Sequence, residues 1–320
     1  MPYWQIVTRS FRIAWDHKYL WLLAFFSGEA GGASFNYSQS TTRSTNRPVD
    51  VGAIQDQVTT WVSNHIALIA ALAVAWLILL VAFFILAAVC EGATIRASAE
   101  HDAERPFGLG PAWRMGVHTM WAMVRFRLLL VALNLPVLLL VGAWLVGLLL
   151  ALAHQNGGAV LPLVLSGLLL LVVWFVYGTY LFFLDRLGTR ALVLEELMAI
   201  PAIARANHLL LKRLGRALVA WLLSIAVAFV IVIALVCVGG LVVAPFAALA
   251  TLAGSGSSGA ALVVAAVLAI IFIPIAVVIA GFFAAQGSTY WTIAFRRLDV
   301  DYQPAYAYPV APQAPPSPQA

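Results

Sequence analysis

The residue types best suited to chemistry lie in one short run, Glu100-His101-Asp102 followed by Glu104. Carboxylates and imidazole hold divalent cations and move protons. Here they are consecutive rather than at ligand spacing, so the segment reads as a solvated charged stretch. Glu91, Arg96 and Asp185 stand near the ends of apolar runs, and a membrane-embedded enzyme would have to draw its acid and base from them. No Ser-His-Asp, Cys-His or phosphate-loop signature is recognisable; Gly239-Gly240 and the Gly/Ser turn at 254–259 lack the following Lys that a phosphate loop needs. The two cysteines, Cys90 and Cys237, have no metal-ligand spacing and read as small buried hydrophobes. The expectation is a protein that is not an enzyme, with no catalytic residue, metal or cofactor.

A second set of polar groups sits inside apolar runs: Asn134, Ser166, Thr179 and Ser224. In a membrane such groups hydrogen-bond between helices. No Asp, Glu, Lys, Arg or His occupies the middle of a long apolar run. Buried charges of that kind mark proton relays and voltage sensors, so those functions are disfavoured. Pro136, Pro162, Pro245 and Pro274 could break helices around a midplane site, which keeps a permease or lipid-handling transporter as the alternative reading.

The elements that carry these residues are set by composition. The chain is 63% hydrophobic and 10% charged, against about 25% charged in soluble domains. Its mean hydropathy is +0.97. Ile66–Cys90, Leu128–Ala153, Ala159–Leu184, about Ala217–Val238 and Ala260–Ala285 are uncharged and each long enough to cross a bilayer as a helix. Leu241–Ala253 reads as a half-helix or re-entrant piece after a break at Gly239-Gly240 and Pro245. Tyr19–Phe26 has only eight apolar residues and crosses only by recruiting Ile13–Lys18. Residues 3–27 therefore either cross the membrane or lie on it. The predicted fold is all-α: a polytopic membrane protein of about six transmembrane helices over residues 1–298, with a disordered Pro/Ala/Tyr-rich tail over 299–320.

Three stretches combine an apolar stripe with cationic residues. Leu109–Arg127 opens at Gly110-Pro111, a helix start. Trp113, Val117, Met120, Trp121 and Val124 recur at helical spacing, with Arg114, His118 and Arg125 on another face. This pattern predicts a helix lying on the membrane surface that then turns up into Leu128–Ala153. Trp4–Lys18 repeats it, with Trp15 on the apolar side and Arg9 and Arg12 on the polar one. Ile200–Arg216 repeats it again, with Arg205, His208, Lys212 and Arg216 aligned opposite Ile203, Leu210 and Leu214. The candidate interface anchors are Trp15, Arg12, Trp113, Arg114, Trp121, Arg125, Arg205, Lys212 and Arg216.

Sixteen of the 18 basic residues fall on one side of a six-crossing topology, and only Arg43 and Arg47, in the Ser27–Val49 loop, fall on the other. The positive-inside rule then places both termini and all three amphipathic helices in the cytoplasm. Three similar units emerge, about Pro2–Cys90, Leu109–Leu184 and Ile200–Ala285, an internal three-fold pattern. The predicted partners are the lipid bilayer, with anionic headgroups at the cytoplasmic face, and an unidentified protein. The basic residues adjoin apolar runs, so nucleic acid is not expected. The function expected is that of a non-catalytic membrane scaffold or lipid- and partner-interacting protein.

Three segments, YWQIVTRSFRIAWDHKYLWLLAFFSG, LGPAWRMGVHTMWAMVRFRLLL and QGSTYWTIAFRRLD, resemble bacterial integral membrane proteins grouped around the membrane domain attached to some glycerophosphodiester phosphodiesterases. The resemblance covers most of residues 1–298. It implies a multi-pass helical domain in a bacterial cytoplasmic membrane. It does not bring the phosphodiesterase, whose chemistry belongs to a separate soluble domain absent from this sequence.

Overall fold

A computed structural model describes residues 3–28, 59–153, 157–253 and 258–298. Among them no strand occurs, and eight helices are accompanied by a short helical lead-in at 59–64. These are α1 (Tyr3–Asp16), α2 (Tyr19–Phe26), α3 (Ile66–Asp102), α4 (Leu109–Ala153), α5 (Gly157–Leu194), α6 (Ala199–Lys212), α7 (Leu214–Ala253) and α8 (Ser258–Leu298). Four are long and apolar enough to cross a membrane: Ile66–Asp102, Leu109–Ala153, Pro162–Leu194 and Leu214–Ala234.

The long helices exceed what a bilayer needs. α4 has 45 residues, which at 1.5 Å each is about 67 Å against about 30 Å of hydrocarbon. The excess collects at one end. α3 and α4 pair antiparallel, as do α4 and α5, so the C-terminal part of α3 and α5 lies beside the N-terminal part of α4. The last turns of α8, the first turns of α7 and the short helices α1, α2 and α6 join them. Nearly all buried side chains belong to this charged end. The apolar windows of the four candidate spans are at most 11% buried, so their side chains face outward, as lipid-exposed residues do.

Small residues explain why the core sits there. From 88 to 99, α3 reads AVCEGATIRASA, and every one of these residues is buried. Ala, Gly, Ser and Thr let helix backbones approach closely. At the α3–α4 crossing a Cβ on Gly116 would overlap the Val89 carbonyl oxygen, and one on Gly92 would come within 2.6 Å of Thr119 Oγ1. Glycine is required at Gly116 because the obstacle is backbone.

The structure corrects several expectations. Leu109–Arg127 is not a separate surface helix. It is the first five turns of α4 and continues into Leu128–Ala153 without a turn; residues 120–130, MWAMVRFRLLL, hold no Gly or Pro to stop it. Its buried face is Ala112, Gly116, Thr119, Met123, Val124 and Phe126, so the Trp113–Trp121 stripe points away from the protein. The short helices α1 and α6 are each separated from the next helix, at His17-Lys18 and at Arg213 beside Gly215, which leaves Leu214 and Arg216 on α7. Much of the apolar faces of α1 (Ile6, Val7, Ile13, Ala14) and α6 (Ala202, Ala206, Leu209, Leu210) is buried in the protein core, while Trp4, Trp15, Ile200 and Leu211 stay exposed. Tyr19–Phe26 is one eight-residue helix packed on α8, too short to cross by itself. Glu100-His101-Asp102, expected as a solvated charged stretch, is the end of α3. Leu241–Ala253 continues α7, with no break at Gly239-Gly240. The Ser27–Val49 loop beyond Gly28 and the tail over 299–320 lie outside the described residues.

Candidate functional site

The charged end is tied together by ion pairs between helices. Asp102, at the end of α3, pairs with Arg9 Nε of α1 at 2.7 Å and with an Arg296 guanidinium nitrogen of α8 at 2.5 Å. Arg9 also donates to the Asp102 carbonyl at 2.7 Å. Glu100 takes Arg96 at 3.1 Å and Arg105 at 3.3 Å. Glu91 pairs with Arg127 of α4, which also donates to the Ser27 carbonyl at 3.0 Å and lies over the Phe84 ring. Ser98 and Thr289 share a buried hydrogen bond of 2.9 Å between α3 and α8. Arg190 of α5 is fully buried, donating to Thr189 Oγ1 at 2.9 Å and to Ser288 Oγ of α8 at 3.5 Å.

These contacts give roles to residues singled out by type. Glu91 and Arg96, possible catalytic groups from sequence, each hold an opposite charge inside the core. Glu100, His101, Asp102 and Glu104 diverge to different partners: Glu100 to Arg96 and Arg105, Asp102 and Glu104 to Arg9, and His101 to Tyr19 and His17. Removing one member of such a buried pair strands the other. Of the polar residues in apolar runs, Ser166 accepts from Trp144 Nε1 across α4 and α5 at 3.3 Å. Thr179 and Ser224 instead bond to carbonyls of their own helices, which corrects the interhelical role expected of them.

A cavity of about 830 Å³ opens between α1, the end of α3 and the connection at 105–108. Arg9, Arg12, Asp16, His17, His101, Glu104, Arg105 and Phe107 line it. The rings of His17 and His101 stack, with centroids 3.5 Å apart and planes at 23°. Tyr19 Oη is 2.6 Å from His101 Nε2 and 3.2 Å from the Phe107 carbonyl. His101 lies eleven residues past Cys90, where the apolar run of α3 ends. Burial, and secondarily the facing His17, push its pKa down from 6.5 to about 4. Burial also pushes Tyr19 up to about 12. Near neutral pH both are therefore uncharged, and they clamp α2 to α3 through a hydrogen bond.

The candidate interface anchors surround this core without converging. Trp15, Trp113 and Trp121 are 62%, 43% and 63% exposed. Arg12, Arg114, Arg125, Lys212 and Arg216 are not buried either, on α1, α4, α6 and α7. Arg205 is half-buried against Glu195 at 3.2 Å. The His17–Tyr19–His101 clamp and the bridging Asp102 carried no sequence motif. The one usable signal was the Ala/Gly/Ser/Thr-rich run around Glu91 and Arg96, which announces close packing more than solvation.

The model of a family of unknown function, DUF7544, matches residues 7–293. No curated protein and no solved structure matches the chain.

Proposed function

We propose, for a chain that belongs to the DUF7544 family of unknown function, a non-catalytic membrane scaffold whose charged end engages anionic headgroups at the cytoplasmic face of a bacterial membrane. The observation that carries this reading is the outer face of α4. Leu109, Trp113, Val117 and Trp121 form an exposed stripe, flanked by exposed Arg114, His118 and Arg125, directly below the apolar part of the same helix. Tryptophan and arginine side by side suit the headgroup layer, where an indole buries its ring and a guanidinium meets phosphate. The distribution of basic residues supports a cytoplasmic setting, with Tyr3 and Leu298 at the same end of the molecule. α8, 41 residues long and uncharged through Phe295, is a further spanning helix in this reading. In this reading the resemblance to phosphodiesterase-linked membrane domains adds the bacterial membrane and no activity.

The test is thermal stability of the full chain in nanodiscs of neutral lipid and of lipid with added phosphatidylglycerol. Anionic lipid is expected to stabilise the wild type and to lose that effect in Arg114→Gln/Arg125→Gln. Equal stability of the wild type in both discs removes the proposal.

A permease is the second reading. A groove of about 460 Å³ at span level, lined by Asn134, Thr179, Trp174 and Trp221, is the observation that favours it. The outward-facing span windows favour the scaffold instead.

A further inference from the structure

The span-level groove of about 460 Å³ between α4, α5 and α7 holds an amide that the chain itself does not use. Asn134 of α4 lines it together with Gly178 and Thr179 of α5, among the rings of Trp174, Phe175 and Trp221. Asn134 lies seven residues past Arg127, and Thr179 lies six residues short of Asp185. At 1.5 Å per residue, both sit about 10 Å into the apolar part of their helices. The hydrogen bonds nearby leave the amide out. Tyr177 Oη donates to the Leu133 carbonyl at 2.7 Å, and Thr179 Oγ1 donates to the Phe175 carbonyl at 2.8 Å. Among the described residues Asn134 makes no hydrogen bond, and its amide is not sealed into the core. Acyl chains neither donate nor accept, so an amide at this depth is costly until it finds a polar partner. Gly178 opens a gap in the same wall. A Cβ there would meet nothing within 4 Å, so no packing inside the chain calls for glycine, which weakens a helix interior relative to alanine.

We propose that a second copy of the chain docks at this groove, with the two Asn134 amides hydrogen-bonded to each other across a two-fold axis along the membrane normal. A primary amide offers both an acceptor oxygen and donor N–H groups, so it is complementary to itself. Copies inserted in the same direction carry Asn134 at the same depth, and a two-fold interface sets like patches face to face. A partner of another kind would have to bring its own polar group to that depth. A phospholipid does not meet the need, because its polar atoms lie toward the charged end and only its acyl chains reach this level. The gap at Gly178 lets helix backbones approach, as small residues do between membrane helices. A dimer seated here closes the groove that a permease would leave open. It needs neither anionic lipid nor the α4 tryptophan stripe, which belongs to the charged end.

The experiment places the full chain, carrying one fluorophore, in vesicles of phosphatidylcholine alone and counts subunits by photobleaching steps as the chain is diluted in lipid. The wild type is expected to pass from dimer to monomer on dilution. Asn134→Leu is expected to weaken association on the order of tenfold, the weight of one interhelical polar contact in a membrane, while Asn134→Gln keeps most of it. Gly178→Leu, at a position where a Cβ meets nothing inside the chain, is expected to abolish the dimer. Neither site carries a contact the fold uses, so thermal midpoints close to wild type are expected for all three variants at high dilution. In a Cys90→Ala/Cys237→Ser background, Leu138→Cys, one turn from Asn134, is expected to cross-link between copies, and Leu72→Cys on α3 is not. Monomers at every dilution overturn the proposal. So does unchanged association in Asn134→Leu or in Gly178→Leu, or cross-linking at 72 with none at 138. Because the lipid is neutral, the dimer and the response to anionic lipid fail separately.

Discussion

The imidazole of His17, in the link between α1 and α2, stacks on that of His101 near the end of α3, 3.5 Å between centroids. Two protonated rings cannot keep that spacing, so the contact holds only while at least one is neutral. His101 titrates near 6.5 unfolded and near 4 in place. Between those values the unfolded chain takes up a proton that the folded one refuses, so acid favours release. The stability contributed by neutral His101 is intact above about pH 6.5 and is lost as pH falls toward about 4. Hydrogen exchange of α2 in detergent should accelerate across this window, and His101→Gln, which keeps an acceptor for Tyr19, should flatten the profile. An unchanged profile in that variant refutes the assignment.

At the α3–α4 crossing, Gly116 faces the Val89 carbonyl with no room for a Cβ. Gly116→Ala should cost about 1–3 kcal/mol, as overpacking does. Gly110→Ala, which has open space around it, serves as the control on the same helix. Thermal unfolding in detergent should separate the two; equal midpoints would show that α3 and α4 can move apart freely.

Asp102 is shared by Arg9 and Arg296 and so fastens α1 and α8 to α3. Its side chain is 11% exposed, whereas Arg9 is 37% and Arg296 24% exposed. Because the arginines remain partly hydrated, Asp102→Asn should cost about 1–3 kcal/mol, less than a fully buried pair would. Limited proteolysis should then cut first in α1, and salt should reduce the difference from wild type.

Glu104 and Glu196 lie just past the ends of α3 and α5 with φ of 57° and 52°, in the left-handed region. Side chains there cost about 1–2 kcal/mol relative to glycine. The exposed contact of Glu104 with Arg9 returns little of that. Glu104→Gly and Glu196→Gly should each raise the unfolding midpoint. A fall in either would show that the carboxylate does more than end a helix.

Helical class and the positions of the apolar runs were legible because hydropathy and length decide them. Ile66–Cys90, Leu128–Ala153 and Ala159–Leu184 all fall inside long helices. The role of the charged segments was not. Periodicity finds an apolar stripe but does not say what covers it, and the stripes of α1 and α6 are in large part covered by protein, with Trp4 and Trp15 left exposed. On α4 the stripe read from tryptophans faces outward, while the packing face is made of Ala112, Gly116 and Thr119, residues too small to register as hydrophobic. Glu100 read as solvated because charge usually is, and its burial comes from tight packing around its local partners Arg96 and Arg105. Glu91 is paired with Arg127, a residue of the next helix that a local window does not contain.

α4 passes from the lipid-facing apolar run to the charged end as one rod, with no loop between Leu109 and Ala153. From Ala112 to Leu135, short of Pro136, no proline interrupts it, and that stretch is a lever. Bilayers of different thickness change the tilt of the helices that cross them. From Leu128 to Ala112 the arm is about 24 Å, so a tilt of about 10° displaces its far end by about 4 Å. Gly116 and Phe126 lie along that arm, pressed against α3 and α5, so the swing is handed to the neighbouring helices. Membrane thickness becomes a mechanical input to the geometry of the charged end.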